Sequence, residues 1–191
     1  MRDIDVRLAL RRKEVDDIVR DDPLSRVIEE MGLMQHSVRI DVAIINGRMH
    51  GYEIKSKSDT LDRLPLQQEL YSKVFDRLTL VVDEHHAIAA RGLVPEWWGI
   101  IVVSGDKADP QFTIWRRAEE NPQVDPYCLC QLLWKEEALE LLTSKGAARG
   151  LSSKPRKVVW ETLSGLMPLD ELKDSVRTIL RHRPDWRLAP S

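Results

Sequence analysis

Two neighbouring segments of the chain alternate between apolar and more polar residues in the manner of β-strands. They cover residues 38–45 and 48–56, and Asn46-Gly47 lies between them. Alternation with a period of two is typical of a half-buried strand, and Asn-Gly between two such runs is a strong hairpin signal. The pattern therefore predicts a β-hairpin over residues 38–56.

Helical periodicity precedes this hairpin. Residues 4–20 form a charged amphipathic pattern, and Asp22-Pro23 begins a second one. In that second segment the apolar residues are spaced i, i+3, i+4 and i+7 up to Gly32, which predicts a helix. The apolar positions are Leu24, Val27, Ile28 and Met31.

The segments after the hairpin predict a mixture of helices and strands, followed by helices alone. A helix over residues 59–76 leads into a buried strand at 77–82, whose apolar run is typical of a parallel sheet. The remaining elements are a short helix within 83–91, strands near 98–103 and 112–115, and helices near 129–143, 156–164 and 168–181. This order predicts an α/β core over residues 1–122 and a helical C-terminal extension over 123–191 that packs on it.

Composition adds that the protein is globular. It has 191 residues, of which 42% are hydrophobic and 31% charged. The longest apolar run, Trp97–Val103, is too short to span a membrane, so we expect a cytoplasmic protein with no membrane partner. Cys128 and Cys130 lack further metal-ligand partners and are expected to be free. A Gly-rich phosphate loop is absent, so no nucleotide cofactor is indicated.

Charge is unevenly distributed along the chain. The net charge is −2, yet residues 145–191 contain ten basic and five acidic residues. This asymmetry is expected if one face contacts phosphate, and a solvated helical surface is the alternative. The candidate phosphate contacts are Lys154, Arg156, Lys157, Arg177 and Arg181.

The most informative residues are the charged ones within the predicted hairpin. Asp41 lies on its first strand, and Glu53-Ile-Lys55 lies on its second. An Asp and a Glu on neighbouring strands offer oxygen ligands to Mg²⁺ or Mn²⁺, and an adjacent Lys can activate a metal-bound water. Such a set predicts phosphodiester hydrolysis, whereas an exposed ladder of cross-strand ion pairs is the structural alternative.

The length of the hairpin loop decides whether these charges meet. A two-residue Asn46-Gly47 loop would place Asp41 and Glu53 on opposite faces, whereas a three-residue Ile45-Asn46-Gly47 loop places them on one face. The second register also gathers the aliphatic residues of both strands on the other face. We therefore predict a loop of odd length or a bulge.

Three further residues are candidates for the same site. Glu30 lies nearer than Glu29 to the apolar stripe of the second predicted helix, so it is the better candidate to reach an inner site. Gln67 and Tyr71 are spaced i, i+4 on one helical face and are candidates to contact substrate or to order the site. Solvent exposure of Glu30 and simple packing of the other two remain alternatives.

Together, Glu30, Asp41, Glu53-Ile-Lys55 and Gln67-x-x-x-Tyr71 resemble the PD-(D/E)XK nuclease superfamily, in a poorly characterised bacterial and phage branch. The resemblance implies a restriction-endonuclease-like mixed sheet of αβββαβ type. It also implies a Mg²⁺-dependent or Mn²⁺-dependent deoxyribonuclease in which Asp41, Glu53 and the Ile54 carbonyl bind metal. Ile40 stands where the superfamily often has Pro.

The remaining roles follow from the same resemblance. Lys55 would assist the water, Glu30 would support the metal, and Gln67, Tyr71 and Arg39 would contact the DNA substrate. The principal hypothesis is thus a metal-dependent DNA hydrolase. The alternative is an inactive DNA-binding or interaction module on the same fold, and a homodimer is left open for either.

Overall fold

The computed structural model describes residues 3–184, apart from the side chains of residues 3, 13 and 14. Residues 1–2 of the predicted core and residues 185–191 of the predicted C-terminal extension lie outside the described residues. The core is a six-stranded sheet in which spatial order follows chain order. Its strands are β1 (Arg26–Leu33), β2 (Val38–Ile45), β3 (Met49–Lys55), β4 (Arg77–Asp83), β5 (Gly99–Gly105) and β6 (Pro110–Arg116).

Strand directions make the sheet mixed. β1, β2 and β3 pair antiparallel, β3, β4 and β5 pair parallel, and β5 and β6 pair antiparallel. A parallel pair needs a crossover connection, which between β3 and β4 contains a helix. The α/β class, the hairpin and the parallel return strand that the sequence predicts are therefore confirmed.

Helices surround this sheet and form most of the C-terminal region. Arg11–Val15 is a π-helical turn that joins the first two helices. The helices are α1 (Asp3–Leu10), α2 (Asp16–Asp21), α3 (Leu64–Ser72), α4 (Ala87–Arg91), α5 (Pro126–Cys130), α6 (Lys135–Ser144), α7 (Arg156–Leu166) and α8 (Leu169–His182). None of the helices within residues 3–184 combines the length and apolar character needed to cross a membrane.

The two faces of the sheet bury separate hydrophobic clusters. The larger cluster joins the sheet to α3 and α4 and to the helices after residue 124. The smaller one joins the opposite face to α1 and the π-helical turn, through residues that include Val6, Leu10 and Val15. Because Leu163, Val176 and other residues of the C-terminal helices belong to the larger cluster, those helices pack directly on the core.

The helix predicted after Pro23 is wrong, because this segment forms β1. Glu30 has a left-handed backbone with φ of 56°, and the strand changes face there. Ile28 and Met31 consequently enter the same cluster although they are three residues apart, while Val27 packs on the opposite cluster. A strand that changes face in this way reproduces the apolar spacing of a helix.

The single helix predicted over residues 129–143 is also wrong, because α5 and α6 divide this segment. Trp134 has an extended backbone immediately before α6. Its amide donates to Glu137 Oε2 at 2.7 Å, and this capping interaction begins a new helix. The helix predicted over 59–76 is shorter, since α3 covers only Leu64–Ser72, and the π-helical turn interrupts the helix predicted over 4–20. The remaining predicted helices and strands are confirmed within a few residues of their ends.

Candidate functional site

The loop of the β2–β3 hairpin has the odd length that the sequence predicts. Ile45 pairs with Met49, which leaves the three residues Asn46–Arg48 in the loop, one position later than expected. Continuing the observed register places Asp41 opposite Glu53. The Ile54 amide donates to Asp41 Oδ2 at 2.7 Å, so Asp41 is fixed at this end of β3.

Glu53 and Lys55 form a buried ion pair. Their exposed fractions are 2% and 5%, and Lys55 Nζ lies 2.6 Å from Glu53 Oε1. Gln67 from α3 also donates to this oxygen at 2.6 Å, whereas Glu53 Oε2 is buried without a hydrogen-bond partner among the described residues. Burial raises the pKa of Glu53, and the nearby Lys55 opposes this shift.

Arg7 holds the other two carboxylates. From α1 its guanidinium lies 3.1 Å from Asp41 Oδ1 and 2.5 Å from Glu30 Oε1. Arg39 pairs with the second oxygen of Glu30. Arg7 was not among the predicted site residues. The sequence placed it next to an apolar residue, Val6, on a predicted amphipathic helix, and this was its only sign of a position near the core. These contacts give each carboxylate at least one cationic partner.

Gln67 and Tyr71 meet as their spacing predicts. Gln67 Nε2 donates to the Tyr71 hydroxyl at 3.2 Å, and that hydroxyl donates to the carbonyl of Arg39 at 2.6 Å. Burial raises the pKa of Tyr71, followed in importance by the charge of Glu53. Tyr71 therefore stays protonated and ties α3 to β2.

Apart from Tyr71, the side chains described above line one cavity of about 620 Å³, but their present arrangement does not fit a divalent cation. Mg²⁺ prefers about six oxygen ligands, whereas Arg7, Arg39, Lys55 and Gln67 engage the carboxylates. Within residues 3–184, no three His, Cys, Asp or Glu side chains are grouped to hold a metal ion. Binding of Mg²⁺ or Mn²⁺ remains a prediction.

Two of the predicted phosphate contacts are engaged inside the protein. Arg177 donates to both oxygens of Asp76, whose exposed fraction is 2%, at 3.0 and 3.1 Å. Arg181 donates to the Leu24 carbonyl at 3.1 Å and lies 3.4 Å from Asp22. Both arginines thus fasten α8 to the sheet region.

The other three predicted contacts lie around the start of α7. Lys154 and Lys157 are exposed, and Lys157 has only a distant pairing with Glu161 at 3.8 Å. Arg156 donates to Gln35 and lies over the Trp160 ring, 5.3 Å from its centroid. Exposed Arg149 precedes them and was missed. The available signal was residues 145–157, which contain five basic and no acidic residues.

Comparison with known proteins identifies the family. A model of the family described as Bacteriophage P4 protein cII matches residues 10–186. The chain belongs to this family. Protein cII of Enterobacteria phage P4 is 25% identical over 157 residues, which is 82% of this chain and 59% of that protein. The chain therefore spans 59% of the length of this cII relative. No solved structure gives a significant match.

Membership of the cII family corrects the principal hypothesis. The assignment to the PD-(D/E)XK nuclease superfamily is wrong, and so are the predicted nuclease and hydrolase activities. The physical reason for the resemblance is that Asp41, Glu53 and Lys55 do lie together, although in a network of internal ion pairs. The same residue types at the spacing of the nuclease motif thus occur in a member of the cII family, where they form internal ion pairs.

Proposed function

We propose that this protein is a non-catalytic module that binds DNA through its phosphate backbone. The observation that carries the proposal is the basic segment of residues 145–157, which has no acidic residue. All five cations of this segment are exposed, but Lys145 pairs with Glu171 and Arg156 donates to Gln35, which leaves Arg149, Lys154 and Lys157 for an external partner. None of the three has a carboxylate within normal ion-pair distance, apart from the 3.8 Å pairing of Lys157, in the described part of the chain.

Exposure and shared location favour these residues for phosphate binding. Lys157 lies in the first turn of α7, and the loop before this helix carries Arg149 and Lys154. A cation that contacts phosphate must be free to turn towards the DNA. Arg177 and Arg181 could do so only by breaking their hydrogen bonds to Asp76 and to the Leu24 carbonyl. The DNA partner is therefore assigned to the basic segment rather than to α8.

The absence of catalysis is supported by the ion-pair network around Asp41. Arg7, Arg39 and Lys55 balance the charges of Glu30, Asp41 and Glu53. A cation that entered this cavity would have to displace resident side chains. We infer that these residues stabilise the hairpin and its contacts with α1 and α3, and that the core is restriction-endonuclease-like in topology alone.

Fluorescence anisotropy with a labelled 20-base-pair duplex tests the proposal. Binding is measured over a salt series in EDTA, so that no divalent cation contributes. The logarithm of the binding constant falls as the logarithm of the salt concentration rises, and each phosphate contact steepens this fall by about 0.9. We expect the combined Arg149→Ala, Lys154→Ala and Lys157→Ala variant to reduce that slope by about 2.7.

A matched control removes exposed cations from other elements of the protein. Arg91 ends α4 and Arg117 follows β6, and both are exposed. The Arg91→Ala/Arg117→Ala variant is expected to keep the wild-type slope. Undetectable binding, or an unchanged slope in the triple variant, would contradict the proposal. Light scattering on the same samples tests the homodimer that the sequence leaves open.

A further inference from the structure

A large cavity lies along the free side of β1. It has a volume of about 1140 Å³, and we call it the β1 cleft. One wall is formed by residues 26–32 of β1, and another by residues 131–136, which run from the end of α5 into the first turn of α6. The rest of the lining consists of Arg11, Gln35, His36, Arg156, Trp160, Arg183 and Pro184.

The β1 cleft exposes the edge of a strand rather than one of its faces. A cavity against a sheet face is lined by every second residue, whereas here residues 26–32 contribute consecutively. β1 is the first strand of the sheet and has β2 on one side only. Among residues 3–184, no backbone–backbone hydrogen bond outside that ladder involves residues 26–33. The edge therefore presents main-chain donors and acceptors to the cleft.

Charges in the β1 cleft favour an acidic occupant. Arg11 pairs with Glu29, and the Glu30 carboxylate is engaged by two arginines. Within the described part of the chain, the hydrogen-bond partners of Arg26, Lys135 and Arg156 are all neutral, namely the Arg181 carbonyl, the Ser152 carbonyl and the Gln35 side chain. One carboxylate of the lining, Glu136, is exposed and has no ion-pair partner among the described residues, so it offsets only one of these three cations. The uncompensated charge of the lining is therefore positive.

We propose that the β1 cleft binds an extended, acidic segment of a partner protein, which adds to the sheet as a further strand beside β1. Main-chain hydrogen bonds would supply affinity, and acidic side chains facing Arg26, Lys135 and Arg156 would supply specificity. This binding surface is additional to the proposed DNA contacts, because it uses a strand edge and none of Arg149, Lys154 and Lys157, although Arg156 belongs to the same basic segment. It would allow one molecule to hold DNA and a protein together.

Both ends of the β1 cleft limit the length of the bound segment. Near one end Gln35 interacts with Arg156 and with Gln131, and near the other Arg26 donates to the Arg181 carbonyl at 3.4 Å. Seven residues of strand span roughly 23 Å. The positive φ of Glu30 bends the edge at its middle, a feature that discourages indiscriminate pairing between copies. We therefore expect a segment of about seven residues.

Synthetic peptides test this proposal with the full chain. The probe is a fluorescent seven-residue peptide of alternating Glu and Val, compared with a Lys and Val peptide of the same length. A third peptide repeats the acidic sequence with alternate amides N-methylated, which removes backbone donors without changing charge. We expect the acidic peptide to bind at least about tenfold more tightly than either comparison peptide.

Protein variants locate the binding. Arg26→Ala/Lys135→Ala should weaken the acidic peptide about tenfold, whereas the Arg91→Ala/Arg117→Ala control should not change its affinity. Amide exchange should slow in residues 26–32 when the peptide binds. Failure of the acidic peptide to bind, equal binding of the N-methylated peptide, or exchange protection elsewhere would overturn the proposal. Protection of residues 26–32 by a seven-nucleotide single strand instead would also overturn it.

Discussion

Replacing Lys55 with Met tests the structural role assigned to the buried ion pair. Methionine keeps a long side chain but removes the ammonium group that lies 2.6 Å from Glu53 Oε1. Glu53 would then be buried with Gln67 as its remaining side-chain donor. Breaking a buried pair on one side costs about 3–5 kcal/mol, and the remaining Gln67 bond favours the lower figure. We expect the free energy of unfolding to fall by about 3 kcal/mol.

The loss should depend on pH in a defined direction. Because burial raises the folded-state pKa of Glu53 above its ordinary value of 4.5, ionisation of this carboxyl lowers stability as pH rises through the folded-state pKa. Below the ordinary value the carboxyl is protonated in both states, and the missing Lys55 matters less. Urea unfolding should therefore show a larger difference between Lys55→Met and wild type at pH 7 than at pH 4.

Two variants complete this experiment. Lys57 is exposed two positions later, and Lys57→Met should change stability by less than about 0.5 kcal/mol. Glu53→Gln/Lys55→Met removes both charges and should be more stable than Lys55→Met alone. If Lys55→Met were as stable as wild type at pH 7, or if its loss were greater at pH 4, the reasoning about this pair would be refuted.

Three other substitutions test particular contacts by urea unfolding. Gly51→Ala would place a Cβ 2.4 Å from Ile40 Cδ1 and should destabilise by about 1–3 kcal/mol; a neutral result would contradict the packing. Arg177→Ala leaves the buried Asp76 without its bidentate partner and should lose about 2–4 kcal/mol, and retention of full stability would exclude this anchoring role. Tyr71→Phe removes the 2.6 Å bond to a backbone carbonyl and should lose about 1–2 kcal/mol, whereas a gain in stability would argue against it.

The hairpin shows what the sequence can predict about this fold. Residues 38–45 alternate regularly over most of their length, and the predicted strand coincides with β2. The apolar pattern also indicated the odd loop length, but the single aliphatic face it predicted is wrong, because Ile40 joins the larger cluster while Val42 and Ile44 join the smaller one. Local periodicity and turn chemistry were sufficient for both features.

Features that depend on distant contacts were not predictable in this way. The change of face at Glu30 requires a left-handed backbone, for which a glutamate gives no local signal. Arg7 reaches Asp41 across 34 positions of sequence, and Arg177 reaches Asp76 across 101. Motif spacing placed Asp41, Glu53 and Lys55 together, but it could not show that internal cations would neutralise them.

Non-catalytic DNA binding is tested most directly by one incubation of the protein with labelled duplex and Mg²⁺. The mixture is divided between a native gel, which reports binding, and a denaturing gel, which reports strand length. We predict a shifted complex whose DNA remains full length, and loss of the shift in the Arg149→Ala/Lys154→Ala/Lys157→Ala variant. An unshifted duplex would contradict DNA binding, and shortened strands that disappear with Lys55→Ala would contradict the absence of catalysis.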